Sequence, residues 1–98
     1  MVNERALQKF ARKHRDAASW LSIWAINVRG AAWRSLIDVR KSYPSADGVK
    51  LRSGFVITIF NVKGNEYRLL SHIDYVLLTV TVIECLTHDE YDEGRWKD

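Results

Sequence analysis

The chain changes its periodicity at its single proline, Pro44, and this change limits the folds available to it. Before Pro44, apolar residues recur at helical spacing. After it, β-branched and aromatic residues are concentrated in short runs that turn residues separate. Helices therefore precede strands instead of alternating with them. That order argues against a parallel doubly wound sheet and predicts an α+β fold, with N-terminal helices packed on a twisted antiparallel sheet.

Three helices are predicted before the proline. Residues 3–14 form the first helix, with Asn3 as its N-cap. Asp16 is expected to cap the second helix, residues 17–30. The apolar face of this second helix is assigned to the core and holds Ala17, Trp20, Leu21, Trp24, Ala25 and Val28. A short third helix is predicted over residues 35–41, because the residue before a proline avoids helical backbone.

Three long strands are predicted after the proline, joined by short turns as an antiparallel meander. They cover "FVITIFNV" at 55–62, "EYRLLSHI" at 66–73 and "VLLTVTVIECL" at 76–86. The preceding "SADGVKLRSG", at 45–54, is turn-rich and is interpreted as a loop. The whole is expected to be one domain over 1–98. Helices occupy about 3–41, the sheet about 48–86, and a C-terminal helix or tail 87–98.

The last segment carries a helix start signal of its own. In "THDE", Thr87 can accept a hydrogen bond from the backbone of Glu90, while the Glu90 side chain reaches back to Thr87. A short helix is therefore predicted directly after the third long strand. His88 would be its first residue, and Tyr91 would follow one turn later on the same side.

Composition and charge narrow the possible environments and partners. The lone Cys85 excludes an intrachain disulfide and favours a reducing cytoplasm. No apolar run approaches the roughly 20 residues that span a bilayer, so no membrane association is expected. Residues 1–52 carry eleven Lys or Arg against four Asp or Glu, whereas residues 53–98 carry four against eight. This asymmetry fits a polyanion partner, a charged protein partner, or both, although solvated helix faces would also produce it.

Most enzyme signatures are absent from the sequence. It has no glycine-rich phosphate loop, no HExxH and no zinc-ligand spacing, so neither a metal nor a cofactor is predicted. Basic and proton-handling side chains remain on or beside the strands: Lys50, Arg52, Lys63, Arg68, His72, His88 and Tyr91. RNA cleavage by transesterification needs only a base, an acid and cations around the phosphate. Each of these residues could equally be a solvated or packing side chain.

Three sequence blocks together resemble the HigB family of bacterial toxins, within the RelE and ParE superfamily. They are "YPSAD" at 43–47, "FNVKGNEYRLL" at 60–70 and "LTHDEYDEGRWK" at 86–97. A weaker similarity extends upstream through the tryptophan-bearing helix. The similarity covers nearly the whole chain in order, and "KGNEYRL" with "THDEYD" is specific in combination.

The resemblance implies a ribosome-dependent mRNA endoribonuclease, or mRNA interferase, which inhibits translation in the cytoplasm. It also implies a HigA-like helix-turn-helix antitoxin that neutralises the toxin, with operator DNA contacted only through the complex. By this similarity Lys63 and Arg68 bind or polarise the scissile phosphate. His88 transfers a proton, and Tyr91 stacks on or orients the substrate. Four further cations are expected to contact RNA, namely Lys50, Arg52, Arg95 and Lys97.

Three features depart from the family pattern, one of which is the slightly greater length of "SADGVKLRSGFVITIF" at 45–60. Glu84 stands late in the third long strand, where family members often carry a basic side chain, and it would repel a phosphate unless it acts as a base or pairs with Arg68. His72, in "SHID", receives no role. Two alternatives also stay open: a ParE-like toxin that acts on a protein such as DNA gyrase, and an inactive relative that only binds its antitoxin.

Overall fold

Three helices occupy the first half of the chain, and four strands and a short fourth helix the second, in the computed structural model that describes residues 3–97. The elements are α1 (Glu4–Lys13), a 3-10 turn (Arg15–Ala17), α2 (Ala18–Gly30), α3 (Leu36–Ser42), β1 (Asp47–Lys50), β2 (Val56–Val62), β3 (Tyr67–Asp74), β4 (Thr79–Thr87) and α4 (His88–Glu93). The strands form one antiparallel sheet in the order β1-β2-β3-β4. The predicted α+β class and the short C-terminal helix are confirmed.

The main core lies between the N-terminal helices and one face of the sheet. The predicted face of α2 enters it: Leu21, Trp24, Ala25 and Val28 are buried there, and Trp20 is partly buried against it. The Trp24 ring meets Phe60 of β2 edge-on, with 5.3 Å between ring centroids. Leu69, Val82 and Cys85 extend this core across β3 and β4. Burial of these side chains supplies the main driving force for packing the helices on the sheet.

The two predicted N-cap residues bind elsewhere. Asn3 occupies the N-cap position of α1, but its side chain makes no capping bond. Instead its amide bridges the backbone of Val82 in β4, donating to the carbonyl at 3.0 Å and accepting from the N–H at 2.6 Å. Asp16 lies inside the 3-10 turn, and Ala17 is the N-cap of α2, so the prediction that Asp16 caps α2 is wrong. Asn3 binds β4, and Asp16 accepts a hydrogen bond from Tyr67 of β3. Rules that consider only neighbouring residues cannot predict either contact.

The segment 45–54, predicted to be a loop, contains β1, a strand in addition to the three that were predicted. β1 pairs with β2, placing Asp47 opposite Ile59 and Lys50 opposite Val56. Strand β2 is apolar on both faces and would otherwise expose a long unpaired edge. Pairing with β1 satisfies the backbone groups of that edge, so a turn-rich sequence takes strand geometry because of its tertiary partner.

The opposite face of the sheet carries a second, smaller cluster. Ile57, Ile59 and Leu70 are buried in it. Partly buried around them are Val49, Leu51, Leu86, Tyr91 and Trp96. The last two residues come from α4 and the chain after it, so the C-terminal segment covers this face. The double-sided apolar character of β2 is thereby explained.

A β-bulge interrupts the pairing of β3 with β4. Leu70 stands opposite Glu84, whereas its neighbour Ser71 stands opposite Val82, so Ile83 is the extra residue. Cross-strand partners share a face of the sheet. The bulge therefore turns Glu84 to the face of the second cluster, beside Leu70.

Candidate active site

Helix α4 is held at its start by the predicted capping box. The Glu90 N–H donates to Thr87 Oγ1 at 3.2 Å, and the Thr87 N–H donates to Glu90 Oε1 at 2.9 Å. The His88 N–H donates to the Glu66 carbonyl at 3.0 Å, which ties the first turn to the start of β3. Gly94 ends the helix in a left-handed conformation, with φ of 75°. Side chains of α4 therefore project from a fixed base on the sheet.

His88 pairs with a carboxylate on its own helix. Its Nδ1 lies 3.2 Å from Asp92 Oδ2, at i,i+4 spacing, and 3.9 Å from Asp89 Oδ1. The side chain is 46% exposed, so the imidazole is open to a ligand. A carboxylate at Nδ1 favours a proton on that nitrogen and leaves Nε2 to accept one. This is the arrangement that a general base needs.

Arg68 and Tyr91 meet on the second face of the sheet. The Arg68 guanidinium carbon lies 5.5 Å from the centroid of the Tyr91 ring, within cation–π range. Two contacts to Asn65 and one to the Tyr67 carbonyl, at 3.1 to 3.4 Å, orient the guanidinium further. Partial burial and nearby Asp47 raise the pKa of Tyr91, against the opposing effect of Arg68. Tyr91 is therefore a neutral phenol at physiological pH, suited to stacking or hydrogen bonding.

The aromatic surface continues past α4 through Trp96. Its ring stacks on Tyr91 with centroids 5.0 Å apart and an interplanar angle of 14°. The Trp96 Nε1–H donates to the Tyr91 carbonyl at 2.9 Å. Lys97 Nζ lies 5.3 Å from the Trp96 ring centroid, and Arg95 pairs with Glu93 at 3.3 Å. Two stacked rings, with Arg68 over Tyr91 and Lys97 over Trp96, thus form an aromatic and cationic surface.

Lys63 lies apart from this cluster. It occupies the β2–β3 turn with φ of 51°. Its Nζ is 3.5 Å from Asp16 Oδ2, and Asp16 also accepts a 2.6 Å hydrogen bond from the Tyr67 hydroxyl. That bond is the largest cause lowering the pKa of Asp16, and it raises the pKa of Tyr67 to about 12. The Lys63 side chain is thus directed toward the helices. Its role as a phosphate ligand stays a prediction.

The remaining predicted RNA-binding cations lie at the far edge of the sheet. Lys50 ends β1 opposite Val56 and is exposed. Arg52 follows in the turn between β1 and β2 and is also exposed. The sheet order separates both from β4 by two strands. They can act on the cluster of Arg68 and Tyr91 only through long-range electrostatics.

Glu84 borders the site without pairing with Arg68. Its Oε1 accepts a 3.3 Å hydrogen bond from the Cys85 N–H, and no ion pair joins Glu84 to Arg68 within residues 3–97. It lines a shallow cleft of about 380 Å³ with two further carboxylates, Glu90 and Glu93. The side of the site nearest β4 is therefore acidic. The three carboxylates repel a phosphate chain there, and Arg95, which also lines the cleft, is paired with Glu93.

Three residues of the cluster were missed from the sequence. Asp92 could have been found, because the predicted helix start places it four residues after His88. Asn65 was assigned only to a turn, although its carbonyl and side chain hold Arg68. Trp96 gave no local signal, since its contact with Tyr91 depends on the chain reversal at Gly94.

The described part of the chain contains neither a metal-binding cluster nor a membrane-spanning element. No group of three or more His, Cys, Asp or Glu residues between positions 3 and 97 is arranged to hold a metal ion. None of the helices over the same range has the length and apolar character that a bilayer crossing requires. Burial raises the pKa of the Cys85 thiol to about 12, so this cysteine is a neutral core residue.

Comparison with known proteins found a matching family, and its match covers most of the candidate site. The family described as HigB_toxin, RelE-like toxic component of a toxin-antitoxin system, matches residues 17–94. That range holds six of the predicted site residues: Lys50, Arg52, Lys63, Arg68, His88 and Tyr91. Arg95, Trp96 and Lys97 lie beyond it. A search of curated proteins found no match.

Proposed function

The chain belongs to the family of HigB toxins, the RelE-like toxic components of toxin-antitoxin systems, and from this premise we propose that it is an mRNA endoribonuclease. Membership of the family carries with it an antitoxin partner. The observation that supports nuclease chemistry is the arrangement on α4 and β3. His88, paired with Asp92, lies one helical turn from Tyr91, whose ring contacts the Arg68 guanidinium.

The proposed reaction is transesterification within the RNA backbone. His88 Nε2 takes the proton of a 2′-hydroxyl, and the 2′-oxygen attacks the adjacent phosphorus. The bond from phosphorus to the 5′-oxygen breaks, and that oxygen takes a proton from water. The products are a 2′,3′-cyclic phosphate and a 5′-hydroxyl. Asp92 stabilises the imidazolium that forms at His88.

Cations at the site stabilise the charge that builds on the phosphate. Arg68 lies over the Tyr91 ring, and its fork of N–H donors matches two phosphate oxygens. Lys63 joins by exchanging Asp16 for the phosphate. An exposed ion pair contributes little to stability, so this exchange costs little. Tyr91, as a neutral phenol, orients the nucleotide by stacking or hydrogen bonding.

Dependence on the ribosome is part of the same proposal. The site lies on an open surface at α4 and the start of β3, and a flexible single strand lying on it would seldom hold the 2′-oxygen in line with the leaving oxygen. A ribosome that already holds the mRNA supplies that alignment. Arg95 and Lys97, beside the site, are then available to contact ribosomal RNA.

The partners of the proposed nuclease follow from the family resemblance. We expect a HigA-like helix-turn-helix antitoxin whose gene lies beside that of the toxin. Both proteins are expected to act in the cytoplasm. Operator DNA would be bound through the complex only. Co-expression of the neighbouring gene should restore growth to cells that are arrested by the toxin, and purification of the toxin should then recover both proteins.

Replacement of His88 tests the proposed chemistry. We expect His88→Ala to lower the rate of mRNA cleavage by about 10²–10⁴-fold, the usual contribution of a general base. Lys9→Ala is the control, because Lys9 is an exposed residue of α1 on the opposite side of the sheet from the candidate site. The readout is induced expression without antitoxin, with mapping of mRNA 5′ ends and measurement of growth.

Each result separates the competing functions. Cleavage at translated codons that His88→Ala abolishes and Lys9→Ala preserves supports the nuclease. Growth arrest with intact mRNA, unchanged in His88→Ala, would instead identify a toxin that acts on a protein such as DNA gyrase. A chain that arrests nothing and cleaves nothing, yet binds its antitoxin, would be an inactive relative.

A further inference from the structure

A second aromatic pair lies on the sheet face of the candidate site, formed by two residues to which no role has been assigned. The rings of Phe55 and His72 stack with centroids 4.2 Å apart and an interplanar angle of 22°. Phe55 is 44% exposed although it is apolar. Since His72 covers one face of the Phe55 ring, the exposed area includes the other face.

The pair is held in place by backbone contacts. His72 Nδ1 lies 3.0 Å from the Val56 carbonyl, which places a proton on Nδ1 and directs the polar edge of the ring. The Phe55 carbonyl accepts a 2.8 Å bond from the Leu51 N–H, and the Phe55 N–H donates to Ser53 Oγ at 3.4 Å. Phe55 therefore presents its ring from an ordered turn, at small entropic cost to a ligand that stacks on it.

Strand geometry relates this pair to the first site. Residues 68, 70 and 72 of β3 point to one face, and Leu70 between them belongs to the second cluster. His72 lies four residues from Arg68, about 13 Å along the strand at 3.3 Å per residue. A few nucleotides of single-stranded RNA span that distance. The two aromatic surfaces can therefore contact one continuous strand.

The charges around the pair favour one path for that strand. Arg52 lies in the turn before Phe55 and borders the pair on the β1 side, whereas Lys50, opposite Val56, is directed to the other face of the sheet. Acidic groups border it on the β4 side. They are Glu84, opposite Leu70, and Asp74, whose carboxylate accepts from the N–H groups of its own turn. A phosphate backbone at the pair would therefore lie on the side of Arg52, away from Glu84 and Asp74.

We propose that Phe55 and His72 form a base-binding subsite for single-stranded RNA, separate from the site of cleavage. A base stacks on the exposed face of Phe55, and His72 supports the ring from below. Aromatic side chains bind unpaired bases in this way. Stacking alone discriminates little between the bases, because every base has a flat aromatic face. The inference rests on the proposed nuclease function for its substrate, but the binding can be measured without cleavage.

The first test is binding of a short RNA to the uncleaving protein. The His88→Ala chain is titrated with hexaadenylate, and the aromatic carbon-bound proton resonances of Phe55 and His72 are followed by NMR. We expect both to shift in a saturable manner. Phe55→Leu, which keeps apolar bulk but loses the aromatic plane, should weaken binding about fivefold or more, and Phe55→Trp should restore it.

A matched control comes from the β3–β4 turn. Leu77 is an exposed apolar residue there, at 70% exposure, and Leu77→Ala should leave the affinity for hexaadenylate unchanged. If the Phe55 and His72 resonances stay unmoved while Tyr91 and Trp96 shift, the subsite does not exist. If Phe55→Leu and Phe55→Trp bind equally well, stacking is not the cause of binding.

Cleavage mapping distinguishes failure of the subsite from failure of the nuclease proposal. With an active His88, Phe55→Leu should change which bases are preferred at one fixed distance from the cut, while cleavage persists. Cleavage with an unchanged pattern would overturn the subsite and leave the nuclease intact. Saturable RNA binding at Phe55 in a chain that cleaves nothing would support the subsite and overturn the nuclease.

Discussion

At the scale of single residues, Asp16 and Tyr67 show how a contact across the fold replaces a local one. Asp16 has the residue type and position of a helix N-cap, yet it accepts a hydrogen bond from Tyr67, 51 residues away. It also pairs with Lys63. The three residues connect the 3-10 turn after α1 to the β2–β3 hairpin, on the helical side of the sheet.

The ionisation of this pair makes stability depend on pH at both extremes. In the folded protein the pKa of Asp16 is lowered from its ordinary value of 3.8. The ionised carboxylate therefore contributes to stability above pH 3.8, and this contribution is lost as the pH falls through the pKa of the folded state. The pKa of Tyr67 is raised from 10.0 to about 12, so its contribution is present below pH 10 and is lost as pH rises through about 12.

Tyr67→Phe should therefore lower the free energy of unfolding across the neutral range. The difference in the free energy of unfolding between this variant and the unmodified protein should shrink in strong acid and in strong alkali. Under those conditions the hydrogen bond between Tyr67 and Asp16 is weakened in the unmodified protein too. Urea denaturation at a series of pH values measures this. Asp16→Asn combined with Tyr67→Phe should cost less than the two single changes added together. Strict additivity would show that the two side chains do not interact.

At the scale of elements, α4 is too short to be stable alone. A helix of six residues does not repay its own nucleation in water. Its order comes from the Thr87 and Glu90 capping box, the left-handed Gly94, and the packing of Tyr91 on the sheet. The capping logic could be read from four letters of sequence. The packing could not, because it depends on where β4 delivers the helix.

Loss of the cap should loosen the element that carries the candidate site. We expect Thr87→Ala to destabilise α4 by about 1 kcal/mol, the usual value of an N-cap hydroxyl. Amide hydrogen exchange should accelerate in α4 far more than in β2, and mRNA cleavage should fall in parallel. Thr87→Ser keeps the hydroxyl and should restore both. Equal exchange rates in Thr87→Ala and Thr87→Ser would show that the cap does not hold the helix.

At the scale of the whole molecule, the sheet is covered on both faces by different parts of the chain. The helices α1 to α3 cover one face and bury the larger core. The C-terminal segment covers the other face through Tyr91 and Trp96. Opening the second cluster need not unfold the first, since the buried residues of the two clusters are distinct. The candidate site lies on the smaller and more easily opened cluster.

This division predicts different effects for two tryptophans that are both partly buried. Trp96→Ala should remove the ring that stacks on Tyr91 and reduce RNA binding and cleavage. Its cost in stability should stay below the roughly 3–5 kcal/mol of a fully buried tryptophan. Trp20→Ala, on the helical side, should lower the free energy of unfolding and leave cleavage intact at permissive temperature. Denaturation curves and 5′-end mapping measure the two effects, and equal loss of cleavage in both variants would refute the division.

Local sequence patterns were enough to predict the order of elements, the apolar face of α2 and the start of α4. These depend on neighbours within one or two turns, where periodicity and capping act. The tertiary structure decided the rest: β1 as a strand, the contact of Asn3 with Val82, and the separation of Lys63 from Arg68. Only the packed sheet brings Arg68, Tyr91 and Trp96 together, because pairwise contacts between distant segments depend on strand register and on the bulge at Ile83. Local rules carry no information on either.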